Sequence, residues 1–340
     1  MSDYDLLLHN SKKEDKYGNT YYRYRLSIFY YLVALIVVII LIANFRSYYP
    51  ADSESNSLVS QKQTEGELPI TTTQPAPSTP FNYENLPPCN LEKPVENKMM
   101  DPSAAVTQFF NCAKMILMRF VRSPEEMLFN WPYTVYVCDE EDEVAKIPLK
   151  SFDNGEKQYW ALLPKCKEPS TLVTLGTGPN QKSEENLKSM IKNLTTFGTD
   201  PFLKDNMKYD HFYQAAISNS SNNLEIEHKN VHAFDQATFF NETIGAKKID
   251  MLWINPNGGN FEYWKYLNIN GTFDSMGIKL CQLNIEIQKK DAGHWHELIT
   301  PLVKDKRYIF MRPMATKNGN VTRTFFVNAQ DPECTRKYLE

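Results

Sequence analysis

Residues 249–254 read IDMLWI, and residues 279–287 read KLCQLNIEI. Both are near-continuous apolar runs of strand length, which is typical of strands buried on both faces of a parallel sheet. A shorter apolar strand is predicted at residues 171–175, directly before Gly176-Thr177-Gly178. Helical patterns separate these strands, and such alternation predicts an α/β fold with a doubly wound, Rossmann-like sheet.

The C-terminal part predicts an antiparallel hairpin at the end of this sheet. Residues 307–311 and 322–327 have strand composition, and Asn318-Gly319 between them is a strong hairpin-turn signal. Before the sheet, Asp101 or Ser103 is expected to cap a helix that ends near Phe120. Residues 133–138, which read YTVYVC, are expected to form a strand.

An apolar stretch near the N-terminus predicts a membrane anchor. Residues 26–45 contain no charged side chain, and about 20 such residues suffice for a helix that crosses a bilayer. Basic residues precede the stretch, whereas Arg46 is nearly alone after it, so the positive-inside rule places residues 1–25 in the cytoplasm. A cleaved signal peptide is the rival interpretation, but the run is too long and begins too late in the chain.

The remainder is then expected to be luminal or extracellular, in the Golgi, the endoplasmic reticulum or at the cell surface. Residues 46–96 are rich in Ser, Thr, Pro and Glu and predict a disordered stalk, with the folded domain at 97–340. Six cysteines are compatible with up to three disulfides of unknown connectivity. Five N-glycosylation sequons lie in the same region: Asn193, Asn219, Asn241, Asn270 and Asn320.

Composition argues against two other classes of site. The formal net charge of -4 and the absence of a basic run give no sign of a nucleic-acid partner. Cysteine and histidine spacing shows no zinc pattern, so no metal site is predicted.

Ligands of doubly wound sheets lie beyond the carboxyl ends of the central strands. Gly176 and Gly178 are candidates there for close ligand approach, and Asp200, some twenty residues on, for binding a ribose. The loop that begins at Asn255 follows the IDMLWI strand. Each feature can also be explained without a ligand. The glycines can form a tight turn, Asp200 can be a turn former before Pro201, and the loop from Asn255 can be a simple connection. Glu286 is a candidate functional carboxylate. A structural role, in which its carboxylate only makes hydrogen bonds within the fold, is an equally good interpretation.

Four motifs, and the order in which they occur along the chain, resemble the FkbM-type methyltransferase domain. The likeness is strongest to the nematode branch of membrane-anchored members. The motifs are VTLGTG at 173–178, FGTDP at 197–201, KKIDMLWI at 247–254 and LCQLNIEI at 280–287. The resemblance implies an S-adenosylmethionine-dependent fold. It also implies that Gly176 and Gly178 lie under the methionine part of the cofactor, that Asp200 binds its ribose, and that the loop after IDMLWI faces the reaction centre.

The chain departs from that family in this loop, where Asn255, Asn257 and Asn260 occupy positions at which the family commonly has carboxylates. An amide cannot act as a general base, although methyl transfer depends chiefly on positioning. Asn255, Asn257 and Glu286 are therefore the candidate catalytic residues. The expected function is O-methylation of a glycan or small acceptor by a protein anchored in the lipid bilayer. The alternatives are an inactive methyltransferase-like binding protein and a Golgi glycosyltransferase.

Overall fold

The computed structural model of the protein contains a central mixed sheet of seven strands. The structure describes residues 81–90, 100–204, 208–219, 221, 223–226, 228–255, 263–315 and 321–340. These residues belong to one compact unit that spans residues 77–340.

The strands are, in chain order, β1 Lys150–Asp153, β2 Gln158–Ala161, β3 Ser170–Leu175, β4 Leu194–Thr199, β5 His211–Tyr213, β6 Ala216–Ser218, β7 Leu224–Ile226, β8 Lys229–Val231, β9 Ala233–Asp235, β10 Lys248–Ile254, β11 Lys279–Gln288, β12 Tyr308–Ala315 and β13 Val321–Asn328. The α-helices are α1 Pro102–Leu117, α2 Pro124–Asp139, α3 Lys182–Met190, α4 Gln236–Thr238, α5 Tyr263–Leu267, α6 Thr272–Ser275, α7 Ala292–Asp305 and α8 Pro332–Tyr338. A π-helical segment, Phe239–Ile244, continues α4, and short 3-10 helices lie at Tyr83–Asn85 and Lys289–Asp291.

The strand order of the main sheet is β12-β13-β11-β10-β3-β4-β5. Five strands are parallel: β3, β4, β5, β10 and β11. Their spatial order is third, second, first, fourth, fifth, so the direction of sheet growth reverses between β3 and β10. This reversal is the topological switch point, beside which ligands of open α/β sheets bind.

The strands predicted from IDMLWI and KLCQLNIEI are present as β10 and β11, and the strand before the glycines is present as β3. All of β10 after Lys248 is buried, which explains its continuous apolar sequence. At the far edge, β13 pairs antiparallel with both β11 and β12, as the predicted hairpin requires. Its predicted turn at Asn318-Gly319 lies outside the described residues.

The expected strand at residues 133–138 was wrong, because these residues form the second half of helix α2. Ser123 caps this helix through its side chain, and Pro124 occupies the first helical position. Trp131, Val135 and Cys138 then follow at helical spacing and are buried. Helix α1 has Asp101 as its N-cap and ends at Leu117.

Three disulfides cross-link the domain. They join Cys89 to Cys166, Cys112 to Cys138 and Cys281 to Cys334, and no cysteine of the chain is left free. Disulfides persist in oxidising compartments, so these bonds are consistent with a secreted or luminal protein. Cys89 lies in the range that we assigned to the stalk, where residues 81–90 carry a 3-10 helix and the buried Tyr83.

A second correction concerns the membrane-spanning helix that the prediction placed before the sheet. Within residues 81–340, as far as the structure describes them, no helix is long and apolar enough to cross a membrane. The predicted span at residues 26–45 lies outside the described residues. The structure therefore supports a mixed α/β domain with a seven-stranded sheet and does not support the transmembrane part of the predicted fold class.

Candidate functional site

The glycine loop after β3 lies at the switch point, against the first residue after β10. Gly176 has φ +76°, and a Cβ atom there would lie 2.2 Å from the backbone oxygen of Asn255. Only glycine fits this close approach of two backbones. Gly178 has φ +66°, and a Cβ atom there would meet no atom of the described residues within 4 Å. The loop is thus packed on one side, at Gly176, and has open space beside Gly178.

Asp200 lies directly after β4 and contacts the same loop. One of its carboxylate oxygens accepts a hydrogen bond from the backbone N–H of Gly178 (3.1 Å). The other accepts from the N–H groups of Phe202 (2.9 Å) and Leu203 (3.2 Å). Asp200 therefore fixes the glycine loop and shapes its own turn, and it is only 4% exposed. A carboxylate offers about four acceptor sites, so one remains after these three bonds.

Asn255 completes this group of residues. Its side-chain amide donates to the hydroxyl of Tyr159 (2.8 Å) and to the carbonyl oxygen of Gly176 (3.0 Å). The Tyr159 ring stacks on Trp253, with centroids 4.1 Å apart. A carboxylate could not donate these two bonds, so the amide has a structural role here. Asn257 and Asn260 lie outside the described residues.

A buried acid beside the glycine loop was not predicted from the sequence. Glu184 lies in the first turn of α3 and accepts a hydrogen bond from the Tyr209 hydroxyl (2.8 Å). Burial raises the pKa of Glu184 from its ordinary value of 4.5 to about 7. Its second oxygen, Oε2, has no hydrogen-bond partner among the described residues. The acid is thus poised between its protonated and ionised forms near neutral pH.

Glu286 lies elsewhere, in a cleft between β2 and the β11–β13–β12 side of the sheet. Its carboxylate pairs with Arg323, whose Nε and Nη2 atoms lie 2.8 and 2.7 Å from the same oxygen. Asn284, two residues earlier, bonds the backbone N–H and carbonyl of Trp160 (2.9 and 2.8 Å) and so holds β2 over the sheet. The structure brings Gly176, Gly178 and Asp200 together, and Glu286 lies on β11, one strand beyond β10, in a cleft that Asn255 also lines.

The cleft is small in this structure. Its interior volume is about 10 Å³, which is the space that roughly one water molecule occupies. Arg312 lies on its wall with its guanidinium 5.8 Å from the centroid of the Trp160 ring. No cluster of three metal-ligating side chains occurs among the residues that the structure describes.

Four of the five predicted glycosylation asparagines are exposed: Asn193, Asn219, Asn241 and Asn270. Each is therefore accessible to a modifying enzyme on the folded surface. Asn320 lies outside the described residues.

Comparison with known proteins gives a distant relative. The chain is 23% identical to an uncharacterized protein of Caenorhabditis elegans over 238 residues, which cover 65% of this chain and 79% of the relative. No family model matches the chain. The resemblance to the FkbM-type domain accordingly stays a prediction.

Proposed function

We propose that the domain is an S-adenosylmethionine-dependent methyltransferase of the FkbM type, acting on a hydroxyl of a glycan or small acceptor. The observation that carries the proposal is the convergence of the Gly176–Gly178 loop, Asp200 and Asn255 at the switch point of the sheet. The proposed setting is the endoplasmic reticulum, the Golgi or the cell surface, which the three disulfides support.

The residues present fit such a cofactor in two respects. The open space beside Gly178 lets a ligand approach the backbone. The remaining acceptor site of Asp200 suits one ribose hydroxyl, and its orientation is already fixed by three backbone bonds. The cofactor supplies an electrophilic methyl group when bound.

The protein's own contribution is positioning. Asn255, the first residue after β10, donates to the carbonyl oxygen of Gly176, so the end of β10 and the glycine loop keep a fixed separation. Methyl transfer gains mainly from such pre-organised alignment of the reacting atoms.

Calorimetric titration of the purified full chain with S-adenosylmethionine and S-adenosylhomocysteine tests the proposal. We expect saturable binding that weakens at least about tenfold in Asp200→Asn, since an amide is a poorer acceptor for ribose hydroxyls than a carboxylate. Glu297→Gln, which changes an exposed acid on α7, is the control and should bind as the parent does. Absence of binding by the folded parent chain would refute the proposal.

A second candidate is a binding protein on an inactive methyltransferase scaffold. The observation in its favour is that both amide hydrogen bonds of Asn255 are made within the protein, where the family commonly places a carboxylate. Methyl transfer by the native chain to any acceptor would exclude this candidate. Cofactor binding without turnover across an acceptor screen would favour it.

A further inference from the structure

The cleft beside β2 contains buried hydrogen-bond donors that lack acceptors. The Nε of Arg312 and the indole Nε1 of Trp160 are both buried, and neither has a partner among the described residues. Both residues line the cleft. A buried donor without an acceptor loses its hydrogen bonds to water without replacement, so native proteins rarely leave two of them together without a reason.

The fold holds these donors in place. Arg312 has φ +50°, at an irregularity of the β12–β13 pairing, and its backbone N–H donates to Asp139 (2.9 Å). Burial raises the pKa of Asp139 to about 7. Trp160 is fixed through its backbone by Asn284. The backbones that carry the two donors are therefore held in place, which lowers the entropic cost of binding an acceptor.

Charge in and around the cleft favours an anion. The described charged side chains that line it are Arg312, Arg323 and Glu286. Glu286 is paired with Arg323, whereas Arg312 makes no ion pair with a described residue of the lining; behind the lining it interacts electrostatically with Asp139, whose pKa burial raises to about 7. Lys157 interacts electrostatically with both members of that pair, and its Nζ atom is buried without a partner among the described residues.

We infer that this cleft binds an oxyanion group, a carboxylate, sulfate or phosphate, with Arg312 and Trp160 as its hydrogen-bond donors. Guanidinium groups match the geometry of all three anions, and charge-assisted bonds are the strongest that a side chain makes. The space in the cleft is about that of one water molecule, so it takes one oxygen of the anion. Binding here does not require a cofactor; reading the oxyanion as part of a methyl acceptor rests on the proposed function.

The test titrates the full chain with sodium sulfate, phosphate and acetate at constant ionic strength, with sodium chloride as reference and without S-adenosylmethionine. Binding is followed by the indole N–H resonances and by calorimetry. We expect saturable binding of at least one oxyanion and a shift of the Trp160 indole signal. Whether tetrahedral anions or acetate bind more tightly then identifies the group that the cleft takes.

Variants locate the site. Arg312→Gln should weaken binding roughly 10- to 100-fold, the usual worth of a charge-assisted hydrogen bond. Trp160→Phe keeps the ring, loses the N–H and should weaken binding about three- to tenfold. Lys290→Gln removes an exposed charge outside the cleft and should have no effect. No saturable binding beyond that of chloride, or equal binding by the parent and both folded cleft variants, would overturn the inference.

Discussion

Glu184 shows how one residue makes stability depend on pH. Its carboxyl ionises near pH 4.5 in the unfolded chain and near 7 in the folded protein, because burial disfavours the charged form. Between these values the folded state keeps a proton that the unfolded chain has lost. Its contribution to the free energy of unfolding therefore falls as pH rises through this window and is constant above it.

Glu184→Gln should remove this dependence. We expect the variant to gain up to about 3 kcal/mol relative to the parent between pH 4 and pH 8, as the size of the shift implies. Urea unfolding of both proteins across this range is the measurement. Glu333→Gln serves as a control of opposite sign: hydrogen bonding to Lys279 lowers the pKa of Glu333, and its stabilising contribution is lost as pH falls below 4.5. Parallel pH profiles for parent and Glu184→Gln would contradict the assignment.

A buried ion pair ties the C-terminal helix to the central strand. The Nζ of Lys337 donates to Asp250 (2.7 Å) and to the carbonyl of Pro169 (2.9 Å), and both charged side chains are at most 1% exposed. Asp250 also accepts from the Tyr338 hydroxyl and from the backbone N–H of Thr171. Removing one partner leaves an uncompensated charge in the core.

Lys337→Met should therefore lower the free energy of unfolding by about 3–5 kcal/mol. Adding Asp250→Asn should recover part of that loss, since the amide oxygen can still accept from Thr171 and no buried charge remains. Denaturant unfolding of the two single variants and the double variant measures the coupling. Strictly additive losses would show that the pair does not act as a unit.

Among the elements, the central strands could be predicted because burial on both faces gives a continuous apolar sequence. The helix at residues 133–138 could not be predicted, because YTVYVC has strand composition. The Ser123 cap and the packing of Trp131 and Val135 nevertheless stabilise a helix there. The Cys112–Cys138 disulfide joins this helix to α1. Tertiary contacts override local propensity here.

In the candidate site too, the sequence could indicate contacts between neighbouring elements but not contacts between distant parts of the chain. Contact between the glycine loop and Asp200 follows from their positions after adjacent strands, so sequence spacing could indicate it. Burial of Glu184 depends on Tyr209, and the cleft depends on β2 folding over β11 through Asn284. These are contacts between distant parts of the chain that no local pattern encodes.

Replacing both cysteines of the α1–α2 disulfide by alanine should cost about 3.5 kcal/mol, the chain entropy of a loop of this size. The Cys89–Cys166 bond spans 77 residues rather than 26, so its loss should cost about 1 kcal/mol more. Urea unfolding of the two double variants gives both values. A change below 1 kcal/mol for Cys112→Ala/Cys138→Ala would mean that this bond does not stabilise the helix pair.

At the scale of the whole molecule, the described part of the chain is a disulfide-bonded α/β domain whose switch point presents a fixed glycine loop. Gly178 faces open space on the proposed cofactor side. Gly155, between β1 and β2, has the same character: φ is +89°, and a Cβ atom would meet nothing within 4 Å. The two glycines are a matched pair, since alanine at either position strains the backbone by about 1–2 kcal/mol without a clash.

The most direct measurement is therefore S-adenosylmethionine binding by the parent, Gly178→Ala and Gly155→Ala, with unfolding measured in parallel. We expect that the parent binds, that both variants lose similar stability, and that Gly178→Ala alone binds at least about tenfold more weakly, because its methyl group enters the ligand's space. Absence of binding by the parent, or equal affinity of the two variants, would contradict the assignment of a cofactor site to the glycine loop.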